Sequence, residues 1–166
     1  MPRLIDRRVL LLAGAALAAP SVAGAAKAAA AANPFAGSSW RRLTDAEWRR
    51  RLSPAAFDIL RREGTEPPGS SPLLQEHRRG VFACAGCGLP LFRSEWKFES
   101  GTGWPSFYTV MERHISRRPD HKLSQDRVEY RCAQCLGHQG HVFEDGPRPT
   151  GLRYCNDGLA LKFTPA

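Results

Sequence analysis

The sequence predicts a mainly β domain of antiparallel strands, preceded by two short helices. Six short runs rich in apolar and aromatic residues follow position 80, and glycine turns separate many of them. Two helix-start signals come before these runs. Two widely separated Cys-x-x-Cys pairs lie within the strand region and predict a metal ion that holds two distant hairpins together.

Both predicted helices begin at a capping residue. Thr44 and Glu47 have the spacing of a capping box, and Ser53 stands directly before Pro54, which suits the first helical position. Gly64 predicts the end of the second helix. Four apolar residues at helical spacing predict the faces that pack on the core: Trp48, Leu52, Phe57 and Leu60.

The chain changes character after the second helix. A loop rich in proline, glycine and serine is predicted over 65–71. The six predicted strands follow it, and they cover 80–83, 90–92, 107–112, 128–131, 140–143 and 159–163.

Four of the five cysteines form the two pairs, Cys84 with Cys87 and Cys132 with Cys135, and Cys155 stands alone. Two such turns supply the four thiolates of a closed tetrahedral zinc site, so we expect a structural zinc that leaves no position for substrate. Disulfides or redox-active pairs are the alternative, but disulfides within each pair would close only tiny loops. Any catalytic chemistry is therefore expected elsewhere, and Cys155 is the cysteine left over.

The N-terminal region, residues 1–32, predicts an export signal followed by an alanine-rich spacer, and residues 33–166 form the predicted domain. An apolar run over 9–19 precedes a small-residue cleavage site. Arg7 and Arg8 directly before this run favour the twin-arginine route and a periplasmic location, with an ordinary Sec signal as the alternative. Folding in the reducing cytosol before export would also protect zinc thiolates.

Charge and length exclude several classes of protein. The formal net charge is +8, and cleavage near Asn33 would leave about +5. The arginines are scattered and lack the aromatic interleaving of a groove that binds nucleic acid, so no nucleic-acid partner is expected. The apolar run is too short to span a bilayer, and no stable membrane insertion is expected after signal cleavage. We expect one domain and a monomer.

Two further segments carry candidate chemistry. In the segment 98–107, two glycines and a proline constrain Trp104 and Phe107, which predicts either a pocket wall or two ordinary core rings. His138 and His141 are three residues apart, but Gly140 favours a strand or turn over a helix. Because four cysteines already satisfy a zinc ion, acid or donor roles suit these histidines better than metal binding.

Cys155 is a candidate nucleophile with an open alternative. Arg153 would stabilise a thiolate, whereas Asp157 would raise the pKa of the thiol. A buried free cysteine is also common as a small apolar filler. Residue chemistry alone leaves both interpretations standing.

The order of the motifs resembles that of the methionine-R-sulfoxide reductase B family. The resemblance covers about Leu43 to Pro165 and includes Gly-Thr-Glu-Pro-Pro at the start of the loop. The other matching motifs are Cys-x-x-Cys, Ser-Gly-Thr-Gly-Trp-Pro-Ser-Phe, Cys-x-x-His-x-Gly-His-Val-Phe-x-Asp-Gly-Pro and Gly-Leu-Arg-Tyr-Cys, in this order.

This resemblance implies a β-tent fold of two antiparallel sheets, a structural zinc on the four paired cysteines, and Cys155 as the catalytic nucleophile. It implies that His138 and His141 bind and protonate the sulfoxide oxygen, and that Trp104 receives the substrate methyl group. Three further positions in matching motifs are expected to help bind substrate: Phe107, Phe143 and Arg153.

The resemblance also implies a reaction. Oxidised proteins or peptides would be the substrates, and a thioredoxin-like or other thiol would reduce the resulting cysteine sulfenic acid. The competing hypothesis is a non-catalytic binding module with the same zinc-stabilised β-tent, because a fold does not fix a function.

The chain departs from the family pattern at three places. Thr102 stands where many members carry a resolving cysteine. The family often has asparagine two residues after the nucleophile, where Asn156 and Asp157 leave that role unassigned. Gln139 replaces a common leucine.

Overall fold

The computed structural model describes residues 33–122 and 126–166. The predicted export signal and spacer over 1–32 lie outside these residues. Within the described ranges, no helix combines the length and the apolar character that crossing a bilayer requires.

Two short helices begin where the sequence predicts. Helix α1 spans Asp45–Arg51 behind a complete Thr44 capping box, and helix α2 spans Pro54–Arg62 behind Ser53. Helix α2 ends one residue earlier than expected, because Glu63 and not Gly64 takes the left-handed conformation. The Glu63 carboxylate binds basic side chains of the neighbouring hairpin, which hold it in place.

The rest of the domain is two antiparallel sheets, which confirms the predicted fold class. A three-stranded sheet has the order β2-β1-β9, and a six-stranded sheet has the order β3-β4-β8-β7-β6-β5. The strands are β1 Gly80–Cys84, β2 Pro90–Arg93, β3 Lys97–Phe98, β4 Ser106–Phe107, β5 Ile115–Asp120, β6 Arg127–Cys132, β7 His138–Phe143, β8 Arg153–Asn156 and β9 Leu161–Pro165.

Two predicted strands were wrong in part. The strand predicted over 107–112 ends at Phe107, because the chain then leaves the sheet and the N–H of Met111 donates to the carbonyl of Leu91 in the other sheet. The strand predicted over 159–163 begins only at Leu161, since Gly158–Ala160 form a 3-10 turn. Strands β3, β5 and β8 were not predicted.

The core lies where the two sheets and helix α2 meet. Phe92 of β2 stacks on Phe107 of β4 with ring centroids 4.0 Å apart, and Phe82 meets Phe107 edge-on at 5.0 Å. Tyr130 and Tyr154 continue this aromatic layer under the six-stranded sheet. The layer supports strands β7 and β8 from below, and these strands carry the candidate site.

Candidate active site

Strand pairing sets Cys155 directly opposite His141. Strand β8 lies between β7 and β4, and Cys155 pairs with His141 on one side and with Ser106 on the other. Residues opposite each other in an antiparallel pair project from the same face of the sheet. Gly140 permits this arrangement, because a Cβ atom there would lie 1.9 Å from the carbonyl oxygen of Cys155.

Cys155 opens into a small cavity of about 120 Å³. Most of its wall surface is apolar, and a few polar side chains also line it. This composition is typical of a site that encloses one small group and orients it. The lining residues are Thr65, Trp104, Arg127, Gly140, His141, Phe143, Cys155 and Asp157.

The Trp104 ring is fixed by the loop before β1. Its indole N–H donates to the backbone carbonyl of Glu66 at 3.1 Å. The buried Glu66 carboxylate accepts from the backbone N–H of Gly158 at 2.5 Å and of Leu159 at 3.2 Å, and the Glu66 N–H donates to Asp157 at 3.0 Å. Glu66 therefore links the Trp104 side of the cavity to the turn that follows Cys155.

His141 is held in one tautomer by Asp120. The Nε2 atom of His141 lies 2.8 Å from Oδ2 of Asp120, which also accepts from Arg127 at 2.7 Å. Burial alone would raise the pKa of Asp120, but the bonds from His141, the Lys122 N–H and Arg127 outweigh it and keep the carboxylate ionised. An ionised carboxylate only accepts, so His141 Nε2 carries a proton and donates.

Burial lowers the pKa of His141, and the charge of Arg127 adds to this effect against the opposing bond to Asp120. The imidazole is therefore neutral at neutral pH. Its Nδ1 atom keeps a free lone pair and can accept a proton from a neighbouring acid.

His138 does not line the cavity. It is 2% exposed, its Nδ1 lies 2.7 Å from Glu129, and its Nε2 lies 3.7 Å from Oδ2 of Asp157. Its ring contacts that of His141, with centroids 5.4 Å apart. His138 is thus placed behind the cavity wall and reaches the cavity only through its neighbours.

The resting Cys155 is a thiol. Burial raises the pKa of Cys155 above its ordinary value, the nearby charge of Arg153 lowers it and that of Asp157 raises it. A hydrogen bond with the Thr102 hydroxyl also lowers this pKa, but the net shift is upward. A nucleophilic thiolate therefore has to form by transfer of the proton to a base.

Phe143 lines the cavity and Arg153 lies against the Phe143 ring. The Arg153 guanidinium sits 4.4 Å from the centroid of that ring and makes two 2.8 Å bonds to Asp145. The bidentate pair fixes the guanidinium and, through it, the aromatic wall. Arg153 lowers the pKa of Cys155 through its charge and through a side-chain hydrogen bond, and it does not line the cavity.

The expectation that Phe107 binds substrate was wrong. Phe107 is fully buried and stacks on Phe92 in the core. The reason is the two-residue period of strand β4: the residue paired with Cys155 is Ser106, and Phe107 points to the opposite face, into the aromatic layer.

The four paired cysteines meet at one point. All four sulfur atoms lie within 4.8 Å of one another, with Cys84 and Cys135 at 3.6 Å and Cys87 and Cys132 at 3.4 Å. Disulfide sulfurs would be about 2 Å apart, whereas four thiolates around zinc stand just under 4 Å apart. The distances exclude disulfides and fit a tetrahedral metal site.

Backbone and side-chain donors point at these sulfurs. The N–H of Gly137 donates to Cys135 at 3.4 Å, and the amide of Gln139 donates to Cys84 at 3.4 Å. Four cysteine sulfurs with these N–H groups around them suit a divalent cation, which would neutralise the negative charge of the thiolates.

Sequence reasoning missed four residues of the site. Three of them lie on the β5-β6 hairpin, and no local motif marks them. The four residues are Glu66, Asp120, Arg127 and Glu129. Thr65 and Glu66 fall in a matched motif, Gly-Thr-Glu-Pro-Pro, which was the one available signal.

Sequence comparisons with known proteins agree on one family. A family model described as the SelR domain matches residues 52–165. Peptide methionine sulfoxide reductase MsrB of Leifsonia xyli is 52% identical over 124 residues, covering 74% of this chain and 89% of the relative. MsrB of Bradyrhizobium diazoefficiens is 49% identical over 123 residues, covering 74% and 88%. A solved Mis18 Yippee-like domain aligns with a TM-score of 0.45 at 15% identity, over 54% of this chain and 98% of that one, and nothing about function follows from it.

Proposed function

Because the chain belongs to the SelR domain family of peptide methionine sulfoxide reductases, we propose that it reduces methionine-R-sulfoxide in oxidised proteins through a Cys155 sulfenic acid. The methionine sulfoxide reductase activity itself follows from relatives that are about half identical over nearly their whole length. The stereochemistry, the intermediate and the role in protein repair are the proposed parts.

One observation carries the proposal: a free cysteine, a histidine of fixed tautomer and an indole ring share one small cavity. A sulfoxide needs all three of these groups, since its sulfur is attacked, its oxygen is protonated and its methyl group is enclosed. A binding module on the same fold has no use for a thiol paired with His141. The competing hypothesis of a non-catalytic module therefore has no observation in its favour.

The reaction begins with proton transfer. His141 is neutral and Cys155 is a thiol, so the Nδ1 atom of His141 can accept the thiol proton once substrate closes the cavity. The thiolate attacks the sulfoxide sulfur. The imidazolium then stands beside the sulfoxide oxygen and assists its departure.

Atoms and electrons balance over this half-reaction. The methionine sulfur gains an electron pair and becomes a thioether, and the Cys155 sulfur loses one. The oxygen leaves the methionine sulfur and ends as the hydroxyl of Cys155 sulfenic acid, with the proton that the thiol began with.

The walls select the substrate end group. Trp104 and Phe143 offer two aromatic faces beside Cys155, and a methyl group between them would be removed from water. The cavity holds little more than the end of a side chain, so the remainder of a peptide must lie outside it. We expect protein-bound methionine sulfoxide as the main substrate and a monomer as the active form, because one chain supplies every wall.

We propose that the four paired cysteines hold a structural zinc ion. The supporting observations are the mutual sulfur distances and the N–H donors aimed at the sulfurs. Zinc would join the turn between β1 and β2 to the turn between β6 and β7, and would thereby hold the strand that carries His141. It supplies no open position for substrate.

Recycling of the sulfenic acid requires an outside thiol. The sequence has five cysteines, and four are engaged in the metal site. Thr102 stands beside Cys155 where many relatives carry a resolving cysteine, and its hydroxyl cannot form a disulfide. We propose a thioredoxin-like or other thiol donor that attacks the Cys155 sulfur directly.

Export to the periplasm remains a proposal that the sequence of residues 1–32 supports. Replacing Arg7 and Arg8 together by lysine should leave the precursor in the cytoplasm if the twin-arginine route is used. Cell fractionation with a Sec-dependent and a twin-arginine-dependent marker decides the route. Normal export of the double variant would favour the Sec alternative.

A stereospecific single-turnover assay tests the function. Wild-type protein should convert peptide R-sulfoxide to methionine without added reductant, and should leave the S-sulfoxide unchanged. The Cys155→Ser variant should convert neither and retain its metal. Reduction of the S form, or activity without the Cys155 thiol, would refute the proposed chemistry.

A further inference from the structure

Asp157 stands two residues after the nucleophile and lines the cavity, so it takes the position where the family often has asparagine. It is 4% exposed. Its Oδ1 atom accepts from the N–H of Glu66 at 3.0 Å, which leaves Oδ2 free to face the ring of His138. Asn156 is buried away from the cavity and bonds to Tyr130 at 2.7 Å.

Glu129, on the side of His138 away from Asp157, determines which ring nitrogen of His138 is protonated. Burial would raise the pKa of Glu129, but bonds from His138, Arg118 and Arg131 lower it to about 2. Glu129 is therefore ionised and can only accept, so Nδ1 of His138 carries a proton and donates across 2.7 Å.

The opposite ring nitrogen has no such partner. The Nε2 atom of His138 is buried and makes no hydrogen bond to the described residues, and Oδ2 of Asp157 lies 3.7 Å from it. With Nδ1 already protonated, a single proton can reside either on Nε2 or on the Asp157 carboxyl. If the proton were absent, a buried carboxylate would face a buried lone pair, and both would lack a donor.

We propose that Asp157 and His138 together store one proton and that Asp157 delivers it to the sulfoxide oxygen. Asp157 is the member of the pair that lines the cavity and can touch the substrate, and His138 positions the proton behind it. This inference rests on the proposed sulfoxide reduction. It gives the leaving oxygen a second acid beside the His141 imidazolium.

The step balances in protons. Protonation by both acids lets the sulfoxide oxygen depart as water while the Cys155 sulfur bonds to the methionine sulfur. The same water molecule, still in the cavity, then attacks the Cys155 sulfur, the methionine thioether leaves, and one proton returns to Asp157 and His138. The oxygen and the net products are those of the proposed function, so the stored proton is used and restored within the half-reaction that forms the sulfenic acid.

The surroundings of Asp157 favour its protonated form. Burial raises the pKa of Asp157 to about 6 against opposing effects of the Glu66 N–H and His138, while the Glu66 charge adds to the rise. Cys155 and Tyr130 also face Asp157, and both are neutral at that pH. His141 and the positively charged Arg127 line the same cavity as Asp157.

The Asp157→Asn variant separates this role from a structural one. Asparagine retains the acceptor for Glu66 but stores no proton, so single-turnover reduction at pH 6 should fall by about tenfold. Alkylation of Cys155 by iodoacetamide at pH 8, where Asp157 is ionised, should instead become faster, because the negative charge that raises the pKa of Cys155 is removed. Asp58→Asn, at an exposed carboxylate on α2, is the matched control and should change neither rate.

The test depends on the reduction rate and the alkylation rate changing in opposite directions. Faster alkylation with unchanged or faster reduction would mean that Asp157 only restrains the thiolate, and the inference would be wrong. Slowing of both rates would indicate a merely structural role and would also overturn it. Wild-type protein that reduces no R-sulfoxide would instead refute the proposed function.

A measurement on wild-type protein covers the case in which the variant does not fold. The carboxyl carbon of Asp157, followed by NMR from pH 3 to pH 8, should titrate about two pH units above an ordinary aspartate. Titration of Asp157 near pH 4 would contradict the stored proton.

Discussion

The Nε2 atom of His141 donates to Oδ2 of Asp120 across 2.8 Å, and this bond joins the end of strand β5 to the cavity. Asp120→Asn should lower the single-turnover rate by about tenfold to a hundredfold, because an amide no longer enforces the tautomer that leaves Nδ1 free. Zinc content and circular dichroism should stay unchanged.

The same hairpin offers a matched control for this prediction. His121 and Asp126 form a second pair at 2.8 Å, and it is exposed to solvent. Asp126→Asn should leave the rate as it is. An Asp120→Asn protein as active as wild type would show that the His141 tautomer does not matter.

Glu66→Gln should destabilise the turn after the nucleophile. One acceptor oxygen becomes an NH₂ group that faces the N–H of Gly158 or Leu159, and a buried unsatisfied donor costs about 2 kcal/mol. Urea unfolding measures this loss. Glu99→Gln, at an exposed glutamate bonded to Lys97, should change the free energy of unfolding by much less.

Removal of one metal ligand should affect folding before chemistry. Cys87→Ser should lose bound zinc and much of the soluble protein, since a structural zinc contributes on the order of 10 kcal/mol to a small domain. Cys155→Ser, which removes the remaining thiol, should keep full zinc content. A stable and fully active Cys87→Ser protein without zinc would show that the metal is dispensable.

Cys155 should react slowly with iodoacetamide at pH 7 and faster as the pH rises, because its pKa lies above the ordinary value and only the thiolate is nucleophilic. Arg153→Met should slow the reaction at pH 8 further, since the guanidinium charge lowers this pKa. Arg113→Met, at an exposed arginine, is the control. Rapid alkylation of the wild type at pH 6 would contradict a resting thiol.

Local signals predicted the parts of the fold that depend on few residues. Capping patterns located both helix starts, since a cap is decided within four positions. The spacing of the cysteine pairs predicted their cluster because each turn aims two sulfurs at one point. The strand that ends in Asp120 was missed because its Ser-Arg-Arg-Pro core reads as a loop and becomes a strand only by pairing with β6.

The carboxylates that bind the two histidines, Asp120 and Glu129, are placed by strand register. Asp120 reaches His141 and Glu129 reaches His138 because β5, β6 and β7 lie side by side, and no pattern within one segment encodes those neighbours. Phe107 was misassigned for a related reason. A one-residue difference along a strand moves a side chain from the site to the core, and the motif alone does not give the register.

The central claim is that Cys155 takes the sulfoxide oxygen and that no thiol of the chain resolves it. Mass spectrometry of wild-type protein after one equivalent of R-sulfoxide peptide, with dimedone and without reductant, tests this most directly. The account predicts a single dimedone adduct on Cys155, and a disulfide only when Thr102→Cys supplies a second thiol beside it. A loss of about two daltons in the wild type, with a zinc-pair cysteine bridged to Cys155, would contradict the account.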